Sequence, residues 1–577
     1  MKKSFKKSGQ KLVRKFSRVS NKAREESKEH IKENVFARIS HILNIKLLIF
    51  EWVLLATALI LLATTQAFWY GDSYAENSFV NGGTYTEATV GKVNSLNPLF
   101  ASTNSERVLS KLMFSTLVSN DYSGHPGMDL AQSVTPNDSG KEWTLKLKEG
   151  LRWSDNEPIT VDDVFYTLEL LQNPVVNSPY GANLAGIKIS PAEDGGIVFK
   201  LPSAYADFIS VLDIPIVPKH KLEDTSPKTL VEDDFSITPV VSGPFMLNAT
   251  QTTTNEIERT IYLSPNPNYN KPHPMLSSFA VHTYETIDDV KKALNAGTIT
   301  ATAELSGEDA DGISSQYMRK ESSINWGTYL FFNTSSSSIK NRDLRQAIRT
   351  GIDMDKIRGA APETIAIDFP IIPSQLQLNT YPKLPERNED ESKNVIASLS
   401  ANGAIKLNIA TVKTGYLPQV SNTLADELRS LGLEAEVNVY EENQEFISNI
   451  ISKRNYDILV YDIELDADPD PLPYYHSSQI STNGLNLSNY RNSLVDDLLI
   501  GARGTMDKEL RIKKYETFLD YWVSDVPAIG IYQVNLTYIY NKNVRTYSND
   551  VRLVSPNDRF VDVTNWAVDR AVRSKTP

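Results

Sequence analysis

The chain has 577 residues, 41% apolar and 23% charged, with 59 Lys+Arg against 71 Asp+Glu and no cysteine. That composition excludes wholesale disorder, collagen and coiled coil, and its length allows about three or four domains or fewer large ones. The missing cysteine excludes disulfides, Cys-ligated zinc, iron–sulfur centres, a Cys nucleophile and a lipid-modified N-terminal Cys, and the net charge of −12 argues against a nucleic-acid partner.

The charge is uneven along the chain. Residues 1–46 hold 14 Lys/Arg and four Glu, a net of +10, which leaves −22 for the remainder. Next comes the most apolar run, LLIFEWVLLATALILLATTQAFWY at 47–70, with Glu51 near its start and no Lys or Arg. About 20 apolar residues span a bilayer core, and Trp52, Trp69 and Tyr70 stand near the ends, where amphipathic rings favour the lipid interface. The expected order is a basic cytoplasmic tail (1–46), a single-pass transmembrane anchor (47–70), a linker (71–81) and an extracytoplasmic body. A cleavable signal peptide is the competing reading, but both its basic and apolar parts would be longer than usual.

The body mixes strand and helix signals. Trp143, Leu145 and Leu147 alternate with polar neighbours, as in a half-buried strand. Thr160 with Asp163 predicts a capping box, and Val164, Phe165, Leu168 and Leu171 share one helix face. Ser421 is expected to cap a helix carrying Leu424, Leu428 and Leu431 and stopped by Gly432. Leu433, Ala435, Val437 and Val439 then alternate as a strand, and a short buried strand follows at 457–461. Helix followed by apolar strand, twice over, points to an α/β sheet.

Motifs of catalysis are missing. There is no GxGxxG, Walker loop, HExxH or GxSxG, and the seven His are scattered. The densest acidic cluster is DIELDADPDP at 462–471. Asp466, Asp468 and Asp470 match the first ligand positions of a calcium loop, but Pro471 and Ser477 stand where Gly and a bidentate Glu belong. Paired carboxylates also suit a glycosidase, and a solvated Pro-rich loop is the plainer reading.

Six stretches, in order, resemble family 5 of the bacterial extracellular solute-binding proteins, the oligopeptide- and dipeptide-type receptors of ABC importers. They are VNSLNP (93–98) with KLMFSTLV (111–118); LAQSV (130–134) through WTLKLKEGLRWSD (143–155) to PITVDDVFY (158–166); SGPF (242–245); LFFN (330–333) with RDLRQAI (342–348) and Ile352-Asp353; Tyr456-Asp457 through DPDP (468–471) to Asn489-Tyr490 and Val495-Asp496; and PAIGIY (527–532). One departure is Asn156, where the family usually carries a turn Gly; Asn tolerates positive φ better than most residues.

The resemblance implies a two-lobe, periplasmic-binding-protein-like α/β fold that closes on ligand like a flytrap. The first lobe would take 82–328 plus 533–577 and the second 329–532, with strands crossing near Trp326 to Tyr329 and Ile531 to Gln533. It implies a monomer that needs no cofactor and does no catalysis, with a peptide as ligand and an ABC permease and ATPase as partners. A buried peptide ammonium needs a carboxylate. The family places one just before its Asp-Pro, which here means Asp468 first and Asp466 second. Ser102-Thr103-Asn104 and the loop at Tyr474, Tyr475 and His476 are candidate edges for strand addition of the ligand. Tyr180 matches a ligand-covering position, and Trp326 could line the cleft; core packing is the alternative for both. The rival readings are the same fold holding an oligosaccharide, opine or metal chelate, a ligand-sensing signalling protein, and an extracellular hydrolase.

Overall fold

The computed structural model describes residues 46–252, 258–306, 308–362, 364–401 and 403–574, with Glu25 and Lys28. The basic tail otherwise lies outside the described residues. Helix α1 (Lys46–Tyr74) has 29 residues, about 43 Å at the helical rise. Its segment Ile49–Gln66 is long and apolar enough to cross a membrane. The hydroxyls of Thr57 and Thr65 donate back to the carbonyls of Val53 and Leu61 at 2.6 and 2.7 Å, so the polar groups of these side chains are satisfied within the helix. The helix runs on to Tyr74, so the start of the expected linker is helical.

Residues from Phe79 to Asp569 form a separate compact unit. It begins with β1 (Thr84–Val90) and α2 (Asn104–Met113). A four-stranded antiparallel sheet follows, built from β2 (Ala131–Pro136) and β3 (Glu142–Leu147) and, after helix α3 (Val161–Gln172), from β4 (Lys188–Pro191) and β5 (Ile197–Lys200). Its order is β2-β3-β5-β4. Trp143 and Leu145 are buried and Leu147 half-buried, as alternation requires. Thr160 and Asp163 form the expected capping box, and Val164, Leu168 and Leu171 are buried. Asn156 adopts φ +74° in the turn where the family favours Gly.

Strands β6 (Phe245–Thr252), β7 (Arg259–Pro265), β8 (Ser278–Tyr284) and β9 (Ala301–Thr302) complete the first half of the main sheet. Two long strands, β10 (Tyr317–Phe332) and a last one introduced below, carry it into the second half. There β11 (Lys406–Val412), helix α4 (Leu417–Ser430) and β12 (Glu434–Tyr440) make a parallel β–α–β unit. Strand β13 (Ile458–Glu464), helices α5 (Ser493–Arg503) and α6 (Lys508–Asp525) and strand β14 (Ala528–Asn541) follow. The sheet order is β12-β11-β13-β10-β14-β9-β1-β8-β7-β6. One sequence reading needs correction here. Ser421 does not cap α4: the helix starts a turn earlier, at Leu417 with Pro418 in its first turn, and Ser421 is buried inside it. Pro fits the first turn because its missing N–H would have no helical partner there. Val439 is exposed, because β12 is an edge strand.

Two large hydrophobic cores divide the body. One draws on residues between Tyr85 and Val281, then Ala301, Ile324 and a set from Leu536 to Trp566. The other runs from Tyr329 to Tyr532. Strands β10 and β14 leave one core and enter the other where their ladder breaks, between the pairs Ser323–Asn535 and Gly327–Gln533. The C-terminal segment returns to the first core through a buried ion pair: Arg559 Nε donates to Glu87 Oε1 on β1 at 3.1 Å, and Tyr538 donates to Glu87 Oε2 at 2.8 Å. The two-lobe α/β plan follows from this double crossing of one sheet.

Candidate ligand-binding site

The turn after β13 is tied to the crossing strand. Leu465 N–H donates to the Asn325 carbonyl at 2.6 Å, and the Asp466 carbonyl accepts from Asn325 Nδ2 at 3.1 Å and Gln375 Nε2 at 2.8 Å. The acid cluster therefore stands at the junction of the lobes. Its three aspartates have different surroundings. Asp468 is held by Arg511 of α6 in a bidentate pair, with Nη1 to Oδ1 at 2.8 Å and Nη2 on Oδ2. Asp470 is held by Arg503 at the end of α5, with Nε to Oδ2 at 2.9 Å. The Asp466 carboxylate has no side-chain partner among the described residues, and the residue is exposed. Surrounding protein, then the charges of Asp470, Glu464 and Asp468, push its carboxyl up to about 6. Burial raises Asp468 as well, against the pull of Arg511.

The first lobe reaches this turn. Tyr205 lies under the Arg503 guanidinium, 4.8 Å from ring centroid to charge, and its hydroxyl donates to Asp470 Oδ2 at 3.5 Å. The Ala206 N–H donates to the Arg503 carbonyl at 2.7 Å. Asp207 is pushed up to about 8 by burial and by Asp468. Arg503, Arg511, Tyr205 and Asp207 were not marked by sequence reasoning. They lie in three separate segments, and no spacing signal joins them to residues 466–470.

At the two expected strand edges, backbone N–H groups are already engaged within the chain. Ser102 and Thr103 both donate their N–H groups to Glu106 Oε2, at 2.9 and 3.0 Å, because Thr103 caps α2 in a capping box. The Asn104 side chain donates from Nδ2 to Glu304 Oε1 at 2.6 Å. Tyr474 and Tyr475 are helical, in the turn Leu472–Tyr475, so their N–H groups bond backward to the Pro471 carbonyl. Tyr475 is fully buried against Phe518 and Trp522. The His476 N–H is spent on Leu472, and its Nδ1 accepts from Ser478 N–H at 3.0 Å. A ligand strand that took up the N–H groups of Ser102, Thr103, Tyr474, Tyr475 or His476 would first have to break their backbone bonds.

Tyr180 is half-buried on the first core, beside Lys111 and Asp213; burial and then Asp213 push its hydroxyl up to about 12. Trp326 is half-buried on the same core and sits opposite Glu464 in the β10–β13 ladder. It thus stands at the start of the acid turn. The described residues contain no group of three His, Cys, Asp or Glu arranged to hold a metal ion.

Comparison with known proteins agrees with the two-lobe fold. The chain is 25% identical over 498 residues to the oligopeptide-binding protein AppA of Bacillus subtilis (strain 168), covering 81% of this chain and 89% of that one. The structure of AppA from Bacillus subtilis in complex with a nonapeptide superposes with a TM-score of 0.70 at 21% identity, over 85% of this chain and 100% of that one. NikZ from Campylobacter jejuni in complex with Ni(L-His) superposes with a TM-score of 0.69 at 20% identity, over 84% and 99%. The family model described as bacterial extracellular solute-binding proteins, family 5 Middle, matches residues 125–486, more than half of the chain. The chain belongs to family 5 of the bacterial extracellular solute-binding proteins.

Proposed function

We propose that this chain is a membrane-tethered, extracytoplasmic receptor that captures peptides between its lobes and delivers them to an ABC importer. The observation that carries the peptide reading is the division of labour in the acid turn. Two arginines occupy Asp468 and Asp470, which leaves Asp466 to meet a cation. A peptide ammonium is such a cation, and enclosure between lobes strengthens the pairing. This reverses the expected order of the two candidates, with Asp466 now ahead of Asp468. Trp326 is retained as a cleft wall beside it, and Tyr180 as part of the first lobe's ligand face.

The division at 82–328 with 533–577 against 329–532 is proposed for the lobes, supported by the two cores and by the Glu87–Arg559 pair. Helix α1 is proposed as the anchor, with the basic tail in the cytoplasm. The receptor acts as a monomer and does no covalent chemistry; ligand shifts an equilibrium between open and closed lobes, and the closed form is what the permease meets.

The test is thermal shift of the full chain in nanodiscs against peptide pools, sugars and nickel–histidine, with mass spectrometry of any molecule carried through purification. Stabilisation by peptides supports the reading. Stabilisation by a sugar or a metal chelate alone overturns it and assigns the same cleft to that solute.

A further inference from the structure

Across the cleft, one segment of the first lobe is seated on the second. It follows β5 and contains Ala204, Tyr205, Ala206 and Asp207. Three contacts hold it: the 2.7 Å hydrogen bond from Ala206 N–H to the Arg503 carbonyl, the Arg503 guanidinium 4.8 Å over the Tyr205 ring, and the Tyr205 hydroxyl 3.5 Å from Asp470. The backbones approach closely. A Cβ at Gly504 would come within 3.3 Å of Ala204, and one at Gly140 within 3.0 Å of the Met506 sulfur. Two glycines, one on each lobe, thus leave room for this contact.

Arg503 joins the contact to the acid turn. The same guanidinium that stacks on Tyr205 binds Asp470. A stacked guanidinium also loses solvent, and cation–π attraction grows as water is removed. We propose that this segment is an interlobe latch, in which Tyr205 and Ala206 grip Arg503 and thereby set how readily the lobes close, whatever the ligand. The latch acts at one end of the cleft, beside Asp466, so separation of the lobes at that end must break it. Tyr205 is a positioning residue here; it acts on the closure equilibrium through Arg503.

The natural absence of cysteine makes the test direct. Lys228→Cys on the first lobe and Lys453→Cys on the second, both at exposed positions, accept one dye each. Interlobe distances are then read by single-molecule energy transfer on the full chain in nanodiscs, without added ligand. Tyr205→Ala is expected to lower the ratio of closed to open molecules about three- to thirtyfold, the range for one partly desolvated cation–π contact and its hydrogen bond. Arg503→Lys keeps a charge for Asp470 but loses the planar stack, and should lower the ratio in the same direction. The double variant should fall by clearly less than the product of the two. Unchanged distance distributions in a folded Tyr205→Ala protein, or effects that multiply in full, overturn the latch. The readout needs no ligand, so failure to bind peptides would sink the proposed function and leave this result standing.

Discussion

Replacing Asp466 by Asn separates the ammonium-anchor proposal from its competitors. Among the described residues the Asp466 side chain bonds nothing, while Glu464, Asp468 and Asp470 repel its charge. The substitution therefore removes no native contact and relieves that repulsion, so the ligand-free chain should keep or raise its melting temperature at neutral pH. The whole cost falls on the bound state. Removing one partner of a buried, hydrogen-bonded charge pair costs about 2–4 kcal/mol, roughly 30- to 1000-fold in Kd. Titration calorimetry with a peptide and its N-acetylated twin reads this directly. The native chain should favour the free amine by that factor, and Asp466→Asn should bind both forms weakly and alike. pH adds a second signature. The free carboxyl titrates at about 6, and pairing with an ammonium lowers that value, so binding releases a proton below 6. Affinity should hold above pH 6 and fall by up to tenfold per pH unit below it. Equal binding of the amine and the acetylated peptide by the native chain, or a preference that survives in Asp466→Asn, would refute the reasoning.

Arg511→Ala leaves Asp468 half-buried without its cation, and should cost about 3 kcal/mol of stability by analogy with broken buried pairs, read as a lower denaturant midpoint. Asn156→Ala places a less tolerant residue at φ +74° and also removes the side-chain acceptor of Asn268 Nδ2; about 1 kcal/mol should be lost, whereas Asn156→Gly should be neutral within about 0.5 kcal/mol by denaturant unfolding. Asp207 faces Asp468, Asp466 and Arg511 and titrates at about 8 with the lobes together, against about 4 for a solvated Asp. Joined lobes thus hold the proton more tightly, so closure should be strongest below about pH 4 and weaken as pH rises through 8. Interlobe distances measured over that range should show the trend, and Asp207→Asn should flatten it.

Local features were legible in the sequence. The 47–70 run, the Thr160–Asp163 capping box and the β3 alternation depend on neighbours within a few residues, and each appears where the pattern put it. So does the unusual φ at Asn156. The start of α4 was misplaced because a buried Ser looks the same in a sequence as a capping Ser; Pro418 was the better signal. The state of the backbone at the proposed strand edge was hidden for a related reason. Ser102 and Thr103 read as open polar backbone, but Glu106, three residues past the cap, takes both N–H groups.

The acid turn shows where local reading stops. Asp466, Asp468 and Asp470 alternate along one short segment, and nothing in their spacing ranks them. Their roles are assigned by arginines 33 and 43 residues downstream, which α5 and α6 bring back to the turn. Each guanidinium removes one carboxylate from the competition for ligand. Asp466 is left by subtraction, with its charge opposed by three neighbouring acids. An incoming cation relieves that repulsion as well as gaining a partner. The two arginines are therefore as much a part of ligand selection as the aspartate, although neither needs to touch the ligand.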